Sequence, residues 1–191
     1  MKKFLTILLC GAFILGATTG CTEQAEDNKK DTEVQEKSKG KCEVKECISL
    51  LNPDMKLEEV NEVIGFEGEK DESSEKYKWQ LTSKTKIEVE FKDKTASIKA
   101  SYNKEDLKND KVKLSVCYEI TGDVKKQKAY TYEEIVEKLD GVEGNLESYS
   151  ATSKMYSWVD KDGNTFRATF SKSNKWKTSI VSVTPAVTIA K

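Results

Sequence analysis

Few side chains here could carry chemistry. The chain has 191 residues and no histidine, which excludes Ser-His-Asp and Cys-His arrangements and histidine-based zinc or iron sites. A nucleophilic cysteine would lack its usual activating base. Glu58-Glu59 and Glu133-Glu134 are adjacent acids. Each pair opens an apolar-periodic run, so a place in the first turn of a helix explains it without proton transfer. Asp160, Asp162 and Asn164 alternate like half of a calcium loop. The rest of that loop is missing, because Phe166 and Ser171 occupy the region where a third acidic residue and a bidentate Glu belong. Asp162-Gly163 between strand-like residues signals a hairpin turn instead. A carboxylate pair or a Ser-Lys pair remains chemically open. The expectation is nevertheless no catalytic residue, no metal and no cofactor.

Binding is the other use of reactive or sticky side chains. Tyr77, Trp79, Tyr156, Trp158 and Trp176 could form an aromatic contact surface, since aromatics are enriched among binding hot spots. Packing of helices on a sheet would use the same residues, and for Trp79 and Trp158 it is the favoured reading. Trp176, between Lys175 and Lys177 in an expected hairpin, is the best candidate for an exposed contact. The 32 basic and 33 acidic residues cancel. No basic field exists to attract nucleic acid, so none is expected as a partner.

Residues 1–20 read as a targeting segment. Lys2 and Lys3 precede an uncharged apolar run, Phe4 to Gly16, too short to span a bilayer comfortably. Ala17-Thr18-Thr19-Gly20-Cys21 then resembles the lipobox of bacterial lipoproteins, although Thr18 stands where those proteins prefer Leu. The resemblance implies cleavage before Cys21, acylation of its thiol and a lipid bilayer as partner. The expected location is the extracytoplasmic face of a cell membrane. An ordinary signal peptide cut near Gly20 and a retained membrane helix are the alternatives. A single arginine, Arg167, among the 32 basic residues suggests an AT-rich genome and leans toward a Gram-positive source.

Residues 21–41 then form a linker. Thr22 to Lys41 has only Ala25 and Val34 as apolar side chains, too few to repay the entropy of ordering. A flexible coil of that length spans on the order of 25 Å.

The elements that must position everything else lie in residues 42–191, where a pattern recurs. Leu57, Val60 and Ile64 fall at helical spacing, as do Tyr132, Ile135 and Leu139. Thr131 and Glu134 form a capping box, and Asp54 could cap the earlier helix. Each helix is followed by a Tyr-x-Trp pair, Tyr77/Trp79 and Tyr156/Trp158, and an alternating strand, Ile87-Val89-Phe91 and Phe166-Ala168-Phe170. A third strand is expected at Ala96-Ile98-Ala100 and at Ile180-Val181-Val183. Before the first helix, Val44, Cys47, Ile48 and Leu51 suggest another helix stopped by Pro53. The matching stretch, residues 112–120, reads as strand or helix. The fold class is therefore α+β in two tandem units, residues 42–104 and 105–191. Each is a short helical segment or hairpin packed on an antiparallel sheet.

Given twice, this order resembles the β-lactamase-inhibitor-protein-like fold and the related single-copy outer-membrane lipoprotein domains of barrel assembly, over residues 43–185. The resemblance implies a helical hairpin on a four-stranded sheet, with tandem units forming a concave surface that grips a protein. It does not carry β-lactamase inhibition. Thr82-Ser83-Lys84-Thr85 at the first hairpin tip has no acid, and Asp160 to Asn164 at the second has no aromatic. Outside the cytoplasm a disulfide is expected. Cys42–Cys47 is favoured by proximity, with Cys47–Cys117 as the alternative. The expected function is a non-catalytic, lipid-anchored module that binds an envelope protein or peptide, peptidoglycan fragments being a further option. An envelope assembly or scaffold role is the second expectation.

Overall fold

The computed structural model describes residues 39–186. The expected leader, Cys21 and the linker to residue 38 lie outside the described residues, as do residues 187–191. Lys39 to Lys41, expected in the tether, are held instead. The Lys39 N–H donates to the Leu81 carbonyl at 2.9 Å and that of Lys41 to Ile64 at 2.8 Å.

The elements run α1 (Val44–Leu50), α2 (Leu57–Ile64), β1 (Glu69–Lys70), β2 (Lys76–Gln80), β3 (Lys86–Lys92) and β4 (Lys94–Ser101). After a short turn they continue with β5 (Lys108–Asn109), α3 (Leu114–Lys125), α4 (Tyr132–Lys138), β6 (Asn145–Ser150), β7 (Ser153–Asp160), β8 (Thr165–Ser171) and β9 (Lys177–Thr184). The strands form one sheet ordered β1-β2-β3-β4-β6-β7-β8-β9, and β5 pairs with β7. The fold is α+β. Every pairing is antiparallel except β5 with β7.

Local chemistry explains the helices. In α4 the Thr131 hydroxyl accepts the Glu134 N–H at 3.3 Å, and the Glu134 carboxylate accepts the Thr131 N–H at 2.7 Å. In α2 Lys56 holds the cap position and Glu59 accepts its N–H at 2.7 Å. Asp54 does not cap; its N–H donates to the Asn52 side chain. Gly65, at φ 100°, ends α2 in the left-handed conformation. Residues 114–125 are helical, because Cys117 and Ile120 share a buried face that a strand would split.

Three strands were expected after each helical segment, and four are present. The sequence misses β1, which is two residues long, and β6, whose register slips between Leu146 and Ser148. That slip erases the alternation by which a strand is recognised. A similar slip between Glu90 and Phe91 leaves Ala96 off the buried row of β4. In β9 Val181 and Val183 stand opposite Ala168 and Phe166, so the adjacent Ile180 falls on the other face and is 65% exposed.

Two apolar clusters form. Val60, Ile64, Trp79, Ile87 and Val89 pack in the first, and Ile120, Ile135, Trp158, Phe166 and Phe170 in the second. Trp79 and Trp158 are 0% and 1% exposed, so neither can belong to a contact surface. Their indole N–H groups are satisfied internally. Trp79 donates to the Phe66 carbonyl at 3.1 Å and Trp158 to that of Val142 at 2.9 Å. Each ring lies flush on a glycine. A Cβ on Gly68 would come within 2.5 Å of Trp79, and one on Gly144 within 2.6 Å of Trp158. The Gly68 N–H donates to the Asn61 side-chain oxygen and the Gly144 N–H to the Tyr132 hydroxyl, both at 3.1 Å.

Gly68→Ala should therefore force the Trp79 ring aside and cost about 1–3 kcal/mol. Gly122→Ala, where a Cβ in α3 meets nothing within 4 Å, should gain roughly 0.5–1 kcal/mol. Urea midpoints of the two variants check both signs.

Candidate binding surface

Strand alternation divides the sheet into two faces. One carries the buried clusters and the helices. On the other, β2, β3 and β4 present rows of alternating sign. Register sets Lys78 opposite Glu88, and Glu88 opposite Lys99. Lys86 pairs with Glu88 at 3.2 Å and Lys78 with Glu69 at 3.7 Å. Such exposed pairs contribute little stability. Past β4 the same face changes character. One row across β6 to β9 reads Ser148, Met155, Thr169, Ile180. It is rich in hydroxyls, free of charge, and carries two apolar side chains.

Where the two halves meet, this side of the sheet holds a cleft of about 360 Å³. The end of β4 and the segment after it form one wall with Ser101, Tyr102 and Lys104. Tyr102 anchors that wall by donating its hydroxyl to the Leu146 carbonyl at 2.7 Å. Burial, helped by the Glu147 charge, pushes the pKa of that hydroxyl well above its ordinary value. The other wall is Glu147, Thr165, Arg167 and Thr184. The β6 register slip makes Glu147 the extra residue of its strand. Arg167 Nε donates to its carboxylate at 2.7 Å. The remaining guanidinium nitrogens have no hydrogen-bond partner among the described residues, and Lys104 has no ion pair among them. Ser157 stands opposite Arg167 in the ladder and is 0% exposed. Its hydroxyl has no hydrogen-bond partner among the described residues. Sequence reasoning missed this site. Its one signal was the single arginine, placed on the polar side of an alternating strand.

The five expected aromatics do not form one surface. Tyr77 and Tyr156 are half-buried on the helix-bearing face. Tyr77 meets the Phe91 ring edge-on at 5.4 Å, and Tyr156 lies 4.5 Å from the Tyr132 ring. Trp176 is 39% exposed in the β8–β9 turn, with Lys154 Nζ 5.7 Å from its ring centre.

The other chemical candidates fall into structural roles. Glu59 and Glu134 accept cap N–H groups. Cys42 and Cys47 are joined as a disulfide with Cα atoms 5.5 Å apart, and Cys117 is free and buried. Burial, with the Asp160 charge behind it, pushes the Cys117 thiol up to about 11, so little reactive thiolate exists at neutral pH. Asp160 closes the β7–β8 turn. Its carboxylate accepts the N–H groups of Asp162 at 2.9 Å and Asn164 at 2.8 Å, and the Asn164 side-chain amide at 2.7 Å. Burial raises its pKa, but these donors outweigh burial and hold it below the ordinary carboxylate value.

Asp160→Ala should cost about 1–3 kcal/mol at pH 7 through lost donors' partners. Because the folded pKa is depressed, the carboxylate stabilises above its unfolded pKa of about 3.9 and loses that effect as pH falls through the folded value. Denaturation at pH 7 and at pH 3 checks this, and the gap between native and variant chains should narrow in acid.

No known protein family, curated protein or solved structure matches this chain.

Proposed function

We propose that this chain is a membrane-tethered, extracytoplasmic binding module without catalytic activity. In this reading acylated Cys21 holds it to the bilayer, and the sheet face opposite α1 to α4 binds a protein or peptide of the cell envelope. The observation that carries the reading is the unbroken pairing of β4 with β6, Ser97 to Lys99 against Ser150 to Ser148. It extends one polar face through all the antiparallel strands and sets a cleft in the middle of it. A solvated face with charged rows on one half and a few apolar side chains among hydroxyls on the other suits protein recognition.

The reading also takes the halves as two copies of one unit. Each half has two helices and then four strands, with a tryptophan flush on a glycine. Among the described residues no helix is long and apolar enough to cross a membrane. The tether therefore rests on the leader pattern alone.

A photo-crosslinking residue at Met155 or Ile180 should give discrete crosslinked species in the parent membrane. The same group at Tyr118, exposed on α3, should give none. Crosslinks from residue 118 alone would overturn the assignment of the face. Cys21→Ser should abolish palmitate incorporation and release the protein from membranes, and an unchanged membrane fraction would remove the lipid anchor from the reading.

A further inference from the structure

Within that proposed binding role, the seam cleft identifies the chemical class of the ligand. We infer that Arg167 and Lys104 receive the free C-terminal carboxylate of a peptide lying along the hydroxyl-rich rows of the sheet. Guanidinium groups recognise carboxylates through two parallel N–H donors. Glu147 occupies Nε at 2.7 Å, which holds the plane of the guanidinium and leaves its far end, the two Nη groups, turned to other acceptors. Lys104 lines the same cleft from the segment after β4. No acid among the described residues pairs with it.

Charge selects among anions. Lys104, Arg167 and Glu147 together leave one net positive charge, which suits a monoanionic carboxylate. A phosphate dianion would enter with one charge unmatched, and close to Glu147. Thr165 and Thr184 face each other across β8 and β9 and add hydroxyl groups to the same wall.

Direction follows from register. Thr169 lies two residues beyond Arg167 on the same strand face and stands opposite both Met155 and Ile180. A peptide entering the cleft by its C-terminus would lay its preceding side chains over Met155 and Ile180. The cleft therefore reads a chain end, and the neighbouring rows read the residues before it.

The test is calorimetric titration of the full-length chain with N-acetyl-Gly-Leu-Ala bearing a free carboxylate, and with the same peptide as its C-terminal amide. The acid should bind saturably, and the amide about tenfold more weakly or not at all. Arg167→Lys keeps the charge and removes the fork, and should weaken the acid about tenfold. Lys104→Gln alters an exposed side chain, so it tests the site without disturbing the fold. It should weaken the acid a few-fold, about threefold, and flatten the salt dependence.

Equal binding of acid and amide, or unchanged binding in both variants, overturns the inference. So does failure of the acid peptide to bind at millimolar concentration, and so does stronger competition by inorganic phosphate than by acetate. If acid and amide bind alike while the crosslinks from Met155 and Ile180 persist, the carboxylate assignment falls and the wider binding role stands. Loss of both removes both.

Discussion

The pairing of β4 with β6 is the contact on which the rest of the architecture depends. Three residue pairs, Ser97 with Ser150, Ile98 with Tyr149 and Lys99 with Ser148, join the two halves edge to edge. Without them each four-stranded sheet would present an unpaired inner edge, with amide and carbonyl groups open to any other strand. With them, those groups are satisfied and the polar faces become continuous. The segment leaving β4 must then turn back along the seam, and Tyr102 binds it to the β6 backbone through the Leu146 carbonyl. The cleft is a by-product of that return path. It exists because two sheets share an edge and one connection has to cross the joint.

What was legible in the sequence follows from what each residue does alone. The α4 capping box could be read because Thr131 and Glu134 satisfy each other's backbone groups within four residues. Strand β3 could be read because every second residue is buried. Strand β6 could not, because its irregularity depends on a partner strand that the sequence does not identify. The helical or extended state of residues 112–120 was undecidable for a related reason. Val112, Leu114 and Val116 alternate, and only packing shows that Cys117 and Ile120 are the residues that must be buried together.

The aromatics give the same lesson at the level of side chains. Tryptophan suits a core and a contact surface equally well. The small residue beneath each ring, Gly68 or Gly144, decides between them and lies outside the Tyr-x-Trp motif. The two halves also solve one local problem differently. A backbone N–H next to the tryptophan is taken up by an asparagine amide in one half and by a tyrosine hydroxyl in the other. Leu57 and Asn61 on α2 occupy the places of Tyr132 and Val136 on α4. Exchanging one member of either pair alone would orphan that N–H or crowd the neighbouring ring. The Arg167–Glu147 contact spans two strands and a register slip, so no local pattern could have revealed it.

The way the chain enters the fold has a mechanical consequence. Lys39 and Lys41 each give one backbone hydrogen bond to the domain, one near the first hairpin and one at the end of α2. The Cys42–Cys47 bridge follows at once. Tension drawn through the N-terminal segment would meet those two bonds first and then a covalent loop. The loop passes the load to α1, whose Ile48 side chain is rooted in the first cluster. Pulling would therefore strip off only a few residues before the force is shared by the whole first half of the sheet.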